Sequence, residues 1–411
     1  MAHIDLNTPP DLSKREQRIA ALAAGLAAEL APGAAEADRS GRFPLEHYQR
    51  LHEAGYLRLA LPRDHGGDGA NLFEMVLAQE RLAQGDAATA IGVGMLLNVV
   101  GRVAEEPTWP EPVWADVCRT LAREGGLVNS VVTEPELGSI SRGGVPATVA
   151  TPVRGGFEIS GHKNFVTAAP ALRYLFTAVK LPPSAHAPQG EVARAIVEAP
   201  APGLRYEATW SDALSQRSGG SDDAYFDRVF VPEARVIERV PIGGPPVPPV
   251  PNGWWLTLVA VYLGLAQASL DAAADYANER VPSVLGKPIA GLPHIQQWIG
   301  QMQLQVFGAR AALYEVARHW TRRPQDRPAL GPQVAAAKHL VTNAACAITE
   351  TGLRVAGGFS LTRQLTLERH FRDARGGLFQ PPQDDIALGL LGRSALAARR
   401  DTRKTSTGEP T

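Results

Sequence analysis

Two short segments of this chain carry the residues whose types and spacing could do chemistry. The first runs from Val132 to Ser139 and joins Thr133 to a Pro-Glu-Leu-Gly turn. Proline removes a backbone donor there, and glycine permits a tight bend. Ser139, at the end of the turn, can offer an amide and a hydroxyl to an anion. Together these groups predict the rim of a pocket.

The second segment, residues 161–167, ends a predicted strand. Alternation along a strand places Phe165 and Thr167 on one face, a flat apolar ring beside a hydroxyl. A large aromatic ring system with one polar edge, such as a flavin, would fit against that pair. Either segment alone is also ordinary strand and turn sequence, so the argument depends on their occurring together.

Both segments resemble, in order and spacing, the two flavin-contact segments of the acyl-CoA dehydrogenase family, which read T-E-P-G-x-G-S-D and K-x-W-x-T-N. The resemblance extends through nearly the whole chain and implies FAD as the cofactor. It implies that Val131 and Thr133 contact the pyrimidine edge of the flavin and that Ser139 lies near both flavin and thioester substrate. It further implies that Phe165 packs on the isoalloxazine and that Thr167 bonds near its N5.

The chain departs from those patterns at two positions. Ile140 stands where the family has Asp, and Phe165 stands where it has Trp. The first change removes a carboxylate acceptor from the turn, and the second keeps a stacking face but loses an indole donor. Flavin binding is expected to survive both.

Two segments near the C-terminal end resemble the family's contacts to the FAD of a neighbouring subunit. Arg280 begins a stretch similar to E-R-x-x-F-G-K-P-I, and Arg354, Gly357 and Gly358 occupy a stretch similar to Q-x-x-G-G-x-G. The planar guanidinium of arginine suits phosphate oxygens, although Arg280 could equally be a cation at a helix C-terminus. The resemblance therefore implies a homo-oligomer, a dimer or a tetramer.

The family's catalytic base is missing from both positions where its members carry a glutamate. Residues 380–383 read Gln-Pro-Pro-Gln where many members have Y-E-G-T, and Trp254 stands at the alternative position. From their places in the resemblance, Gln383 is expected to bind the cofactor and Trp254 to bind the substrate. Asp384 is the candidate catalytic base, one helical turn beyond the expected place, while Asp385 could cap the following helix.

The default function that the resemblance implies is an FAD-dependent oxidoreductase of fatty acid metabolism. It would α,β-desaturate an acyl-CoA thioester by hydride transfer to flavin N5, with a flavoprotein or O2 as electron acceptor. The missing glutamate leaves two alternatives: a flavin-dependent monooxygenase of the same fold that uses reduced flavin and O2, or a catalytically inactive member that binds acyl-CoA or a partner.

The elements that must position these residues follow from hydrophobic periodicity. Helical periodicity predicts an N-terminal α-helical domain (1–125), and short runs of period two predict a central antiparallel β-barrel domain (126–240). Helical periodicity then returns in a C-terminal four-helix bundle (241–400), after a proline-rich connector, and residues 401–411 are predicted to be a disordered tail. The fold class is thus α+β and acyl-CoA dehydrogenase-like, with the flavin expected between the β domain and the bundle.

Composition and charge limit the classes of partner that this chain is expected to bind. The chain has 411 residues, 41 basic against 42 acidic side chains and only two cysteines. A near-zero net charge argues against nucleic acid and membrane surfaces as partners. Two distant cysteines and the lack of a His-Glu-x-x-His motif argue against a disulfide framework and a metal site, and we expect a soluble cytoplasmic protein.

Overall fold

The structure, a computed structural model, describes residues 11–137, 144–244 and 252–407. Five helices open the described chain, strands follow, and five helices close it, and this order of helices, strands and helices is the one that the sequence predicted. The first helices are α1 (Lys14–Ser40), α2 (Leu45–Glu53), α3 (Leu72–Ala83), α4 (Ala87–Glu105) and α5 (Glu111–Glu124). The strands are β1 (Leu127–Val131), β2 (Val149–Val153), β3 (Gly156–Val166), β4 (Leu172–Leu181), β5 (Glu191–Glu198), β6 (Leu204–Glu207), β7 (Asp222–Pro232) and β8 (Val236–Pro241). The last helices are α6 (Leu256–Glu279), α7 (Pro293–Arg322), α8 (Gly331–Ala356), α9 (Leu367–Ala374) and α10 (Asp384–Thr407). The α+β fold class is confirmed.

The strands form one open, mixed sheet, so the predicted closed antiparallel barrel is wrong. The strand order is β6-β7-β3-β2-β4-β5-β8, with β1 pairing with β4 off this path. The β1–β4 and β2–β4 pairs are parallel, and the other pairs are antiparallel. The sheet ends on the short strand β6, whose residues are exposed or half-buried, and a short polar edge of this kind needs no closure.

The contacts divide the chain into two compact units. One contains the described parts of residues 1–21, 72–84 and 250–411, and the other contains residues 22–71 and 85–249. Helix α3 therefore belongs with the C-terminal helices, and the sheet shares its unit with the other N-terminal helices. The predicted boundaries at residues 125 and 240 fall where helices give way to strands and strands to helices, and as domain boundaries they stay predictions.

Helix α3 packs tightly on α6 inside the first unit. A Cβ at Gly264 would lie 2.2 Å from the carbonyl oxygen of Glu80 and 2.9 Å from the Ala83 side chain, so glycine allows the two helices to approach. Arg310 of α7 donates to the buried Glu80 carboxylate at 3.0 and 2.6 Å, and the Tyr314 hydroxyl donates to its other oxygen. A buried ion pair satisfied in this way fixes α3 and α7 together.

Within the described part of the chain, three helical segments are long and apolar enough to cross a membrane by length and composition alone: Lys14–Ser40, Ala87–Glu105 and Gly253–Glu279. In the latter two, 83% of the apolar window is buried inside the protein. A helix that is apolar on all sides is either buried or membrane-spanning, and packing within the units accounts for these two.

The two segments predicted to lack regular structure have different outcomes. Residues 245–251 of the proline-rich connector lie outside the described residues. Helix α10 continues to Thr407, whereas the sequence predicted a disordered tail from residue 401, and residues 408–411 lie outside the described range. Residues 395–400, directly before this stretch, read Ala-Leu-Ala-Ala-Arg-Arg and favour helix, and the helix continues beyond them.

Candidate cofactor site

One buried carboxylate connects the two segments singled out in the sequence. Glu134, from the first segment, receives bonds from Lys163 Nζ at 2.6 Å and from Thr148 Oγ1 at 2.7 Å. The backbone amides of Ala147 and Thr148 also donate to it, at 2.7 and 3.0 Å. Glu134 thereby joins Ala147 and Thr148 to Lys163 of strand β3, two residues before Phe165. Ser139 itself lies outside the described residues.

Burial sets the charge states of this pair. The Lys163 side chain is 0% exposed and that of Glu134 is 3% exposed. Desolvation lowers the pKa of Lys163 to about 8, against the opposing effect of Glu134. Burial alone would raise the pKa of Glu134, but the bonds from Lys163, Thr148 and the two amides lower it overall. The pair is therefore charged at neutral pH and stabilised by a full set of donors.

Phe165 and Thr167 occupy contrasting environments at the end of β3. Phe165 has a left-handed backbone (φ +56°) and is 57% exposed. Thr167 is buried, with its Oγ1 3.0 Å from Ser221 Oγ and its carbonyl accepting from Asn129 Nδ2 at 3.1 Å. A bulky residue rarely adopts positive φ, so the surrounding bonds hold a strained backbone that presents an aromatic face.

Trp210 stands edge-on to the Phe165 ring, with ring centroids 5.8 Å apart and an interplanar angle of 81°. Its Nε1 donates to the carbonyls of Ser215 and Gln216, and its backbone amide donates to the Asp222 carboxylate. These bonds fix the indole, so Trp210 supports the Phe165 ring from the side.

The remaining predicted residues of the first segment lie close to β3. Val131 is buried at the end of β1, and Thr133 is half-buried, its carbonyl accepting from the Asn164 amide at 3.1 Å. The Asn164 side-chain Oδ1 is buried and has no hydrogen-bond partner among the described residues. The structure thus brings Thr133, Phe165 and Thr167 together around one unsatisfied acceptor.

In the other unit, the predicted neighbour-contacting residues form a second group. The Arg280 guanidinium lies 5.0 Å from the centroid of the Phe359 ring, which places it beside Gly357 and Gly358. Gly357 has φ +60°, and an added Cβ at either glycine would meet nothing within 4 Å. Arg354 is exposed and bonds Glu350 at 2.7 Å, one helical turn away, so a ligand phosphate would compete with that carboxylate.

Asp384, the candidate base, is held by three side chains of α8. Its Oδ1 is 3.2 Å from both Lys338 Nζ and His339 Nδ1, and its Oδ2 accepts from Asn343 Nδ2 at 2.9 Å. Partial burial raises the pKa of the Asp384 carboxyl, but these three bonds outweigh it and lower the pKa overall. The carboxylate thus neutralises Lys338, whose side chain is 1% exposed. Gln383, directly before it, is half-buried.

Trp254, at the other position where the family carries its base, is almost fully buried in a short 3-10 turn. It is 3% exposed, and its backbone amide donates to the Asn252 side chain at 3.0 Å. Its indole Nε1 is buried without a hydrogen-bond partner among the described residues. Buried N–H groups are normally paired, so this donor is available to a bound molecule.

Sequence reasoning missed five residues that build the site: Asn129, Glu134, Lys163, Trp210 and Ser221. Glu134 and Lys163 both stand among polar residues and glycine or proline, so no local pattern indicated that they form a buried pair. The partners of Asn129, Trp210 and Ser221 are 38 or more residues distant in sequence, and no local pattern indicates them. No group of three or more potential metal ligands occurs in the described part of the chain.

Comparison with known proteins gives two domain matches. Residues 13–106 match the family described as acyl-CoA dehydrogenase, N-terminal domain, and residues 256–396 match acyl-CoA dehydrogenase, C-terminal domain. The two matches cover α1 to α4 and α6 to α10, so they lie on either side of the sheet in sequence.

Individual relatives span nearly the whole chain. The putative acyl-CoA dehydrogenase YdbM of Bacillus subtilis is 38% identical over 373 residues, 90% of this chain and 94% of the relative. The L-evernosamine nitrososynthase of a Micromonospora species is 27% identical over 97% of this chain and 94% of that protein. The butyryl-CoA dehydrogenase structure from Megasphaera elsdenii has a TM-score of 0.80 at 22% identity, covering 95% of this chain and 100% of that one.

Proposed function

The chain belongs to the acyl-CoA dehydrogenase family, and we propose that it is an oxidoreductase that uses reduced flavin and O2 rather than one that desaturates an acyl-CoA. Members of this family bind FAD, and FAD is the cofactor of this chain. The observation that carries the proposal is the engagement of both Asp384 oxygens by α8. A desaturase needs a free base, whereas oxygen chemistry at a flavin does not.

The residues of the sheet-containing unit fit a flavin. Phe165 offers an exposed aromatic face, and the strained backbone beneath it is fixed by its neighbours. Asn164 Oδ1 is a buried acceptor awaiting a donor, and the Thr167 hydroxyl can both donate and accept. A ring system with a flat apolar face and a polar edge satisfies all three. When bound, FAD supplies the redox chemistry, and these residues bind and orient it.

The groups at the family's base positions cannot remove an α-proton as they stand. A general base must reach the proton and have a pKa suited to the working pH. The Asp384 carboxylate faces Lys338, His339 and Asn343, and its lowered pKa makes it a weaker base than a free aspartate. Trp254 and the two prolines of residues 380–383 offer no basic atom.

The chain's own residues can still orient a substrate. Trp254 Nε1–H is a buried donor free among the described residues, and it can bind an oxygen or nitrogen acceptor of the substrate. A nitrososynthase shares 27% identity over 97% of this chain, so relatives of comparable length carry names other than acyl-CoA dehydrogenase.

The second candidate is α,β-desaturation of an acyl-CoA thioester. It is supported by the 38% identical relative named a putative acyl-CoA dehydrogenase and by the presence of a carboxylate, Asp384, at the start of α10. This function requires Asp384 to leave Lys338 and His339 when substrate binds. Electrons would then pass to a flavoprotein acceptor.

A pair of anaerobic and aerobic measurements separates the two candidates. FAD-loaded protein is mixed without oxygen with acyl-CoA thioesters of several chain lengths, and we expect the oxidised flavin absorbance to persist. Chemically reduced protein is then mixed with oxygenated buffer in a stopped-flow instrument, and we expect an absorbing species that is neither oxidised nor reduced flavin. Bleaching by an acyl-CoA with release of the enoyl product would overturn the proposal.

Asp384→Asn sharpens this test. The variant keeps an oxygen acceptor for Lys338 but cannot take a proton, so oxygen reactivity per folded molecule should not change. If wild-type protein desaturates an acyl-CoA and Asp384→Asn does not, Asp384 is the base. Absence of both reactions in all variants would instead identify the inactive, binding-only member.

We also propose a homo-oligomer, a dimer or tetramer, in which a neighbouring subunit reaches the FAD. The support is an exposed group formed by Arg280, Phe359 and Gly357. An added Cβ at Gly357 would meet nothing within 4 Å, so a phosphate or another chain has access to this group. Arg280→Glu should weaken FAD binding without changing the fold of each subunit. Sedimentation of the wild-type protein at several concentrations measures the oligomeric state; a monomer that binds FAD normally would contradict this arrangement.

A further inference from the structure

Thr167 and Ser221 face each other through their hydroxyl groups. Thr167 is 6% exposed and directly follows β3, while Ser221 directly precedes β7, and their oxygens are 3.0 Å apart. Each hydroxyl has one proton to donate and lone pairs to accept. Either oxygen can therefore be the donor, and the direction reverses when both protons rotate, without any movement of a heavy atom.

The backbone around this pair is fixed. The Thr167 carbonyl accepts from Asn129 Nδ2 at 3.1 Å, and its amide donates to the carbonyl of Phe165 at 3.0 Å. The next amide, that of Ala168, donates to Gly219 at 3.0 Å. Because the main chain on both sides is bonded, the protons of the two hydroxyls are what can respond to a ligand at Thr167.

We propose that Ser221 is a positioning residue that lets the Thr167 hydroxyl bond the flavin in both of its redox states. This inference rests on the proposed placement of the flavin beside Thr167. Nitrogen N5 of an oxidised flavin accepts a hydrogen bond, whereas the same atom of a reduced flavin carries a hydrogen and donates. Thr167 meets the first by donating to it while accepting from Ser221. It meets the second by accepting from it while donating to Ser221.

Loss of the Ser221 hydroxyl affects the two states unequally. With oxidised flavin, Thr167 still has an acceptor for its proton. With reduced flavin, Thr167 accepts from the cofactor, and its own proton has lost the Ser221 oxygen that would receive it. A buried donor without an acceptor is unfavourable, so the reduced state is the one that weakens.

The test compares FAD affinity and flavin midpoint potential in wild-type protein and Ser221→Ala. We expect the ratio of reduced to oxidised affinity to fall about tenfold, which corresponds to a midpoint about 30 mV lower for a two-electron couple. Ser221→Thr keeps a hydroxyl and should restore the wild-type value. Ser160→Ala is the matched control, because that hydroxyl accepts from the Arg228 amide at 3.2 Å near the other end of β3, and it should leave the midpoint unchanged.

A double-mutant cycle with Thr167→Val makes the proposal falsifiable on its own. Once the Thr167 hydroxyl is gone, Ser221→Ala should cause no further shift. An unchanged midpoint in Ser221→Ala, or equal shifts with and without Thr167, overturns the role of Ser221. If Thr167→Val itself leaves the flavin spectrum and midpoint unchanged, the placement of the flavin fails, and the two failures are thereby distinguished. Thermal unfolding of each variant checks that the fold is retained.

Discussion

Two buried lysines in different units are paired with carboxylates, and the two pairs differ in the exposure of the carboxylate. Lys163 and Glu134 are both shielded from solvent, with side chains 0% and 3% exposed. Lys338 is as buried as Lys163, but its partner Asp384 is 32% exposed. In the first pair, the carboxylate also fastens the turn leading to Ser139, and the lysine fastens the strand leading to Phe165.

In the second pair the carboxylate belongs to Asp384, which the sequence assigned to catalysis and which here has a structural role. Lys338 and the neighbouring donors of α8 occupy both oxygens of Asp384. A carboxylate that neutralises a buried ammonium is costly to withdraw. The first pair therefore supports the two segments that are predicted to contact the flavin, whereas the segment after Arg375 serves helix packing. This is the physical basis for favouring oxygen chemistry over desaturation.

The largest effect is expected from breaking the first pair. Lys163→Met leaves Glu134 buried without its cation, and removal of one partner of a buried pair costs about 3–5 kcal/mol. We expect a correspondingly lower free energy of unfolding in urea and loss of FAD binding. Glu134→Gln combined with Lys163→Met should recover much of the stability, because no unpaired charge remains. The exposed pair of Arg42 and Glu46 is the control, and Glu46→Gln should change stability by less than about 1 kcal/mol.

A smaller effect is expected from the second pair. Asp384→Asn keeps a neutral oxygen near Lys338 but removes its counter-charge, which we expect to lower the free energy of unfolding by about 1–3 kcal/mol. Flavin affinity should not change, because Asp384 anchors α10 to α8. Equal losses of stability in Asp384→Asn and Lys163→Met would remove the distinction between the two pairs.

Substitution of Phe165 tests the proposed flavin contact without disturbing stability. Its ring is 57% exposed, so Phe165→Ala should leave the thermal midpoint nearly unchanged. The lost stacking face should weaken FAD binding about fivefold, in line with about 1 kcal/mol for an aromatic pair. Phe165→Trp restores the residue of the family pattern and should bind FAD at least as tightly as wild type. Unchanged affinity in Phe165→Ala would place the flavin elsewhere.

Local sequence patterns predicted the order of the elements, whereas the site residues that they indicated stay predictions. Periodicity predicted a helical, a β and a second helical region in this order along the chain, because apolar residues recur with different periods in helices and strands. The flavin contacts of Phe165 and Thr167, which the resemblance implies, stay predictions. The open, mixed sheet could not be predicted, because the parallel pairing of β1 with β4 joins residues about 45 positions apart.

The supporting residues could not be predicted for the same reason. Trp210 meets Phe165 from 45 positions away, and Ser221 meets Thr167 from 54 positions away. Similarly, Asp384 followed a plausible motif, but its three partners lie on α8, 41–46 residues earlier. A motif shows which side chain is present. Only the packing shows whether that side chain is already engaged.

The pH dependence of the second pair is the smallest effect and separates anchoring from catalysis. The pKa of Asp384 is lowered in the folded protein from its ordinary value of 3.8, so the folded state binds fewer protons than the unfolded chain near that pH. Its contribution to stability is therefore complete above about pH 4 and is lost as the pH falls through the lower folded pKa. The difference in unfolding free energy between wild type and Asp384→Asn should be constant from pH 5 to 7 and shrink below pH 4. A difference that instead disappears between pH 5 and 7 would mean a raised pKa, as expected of a general base, and would return Asp384 to the catalytic role.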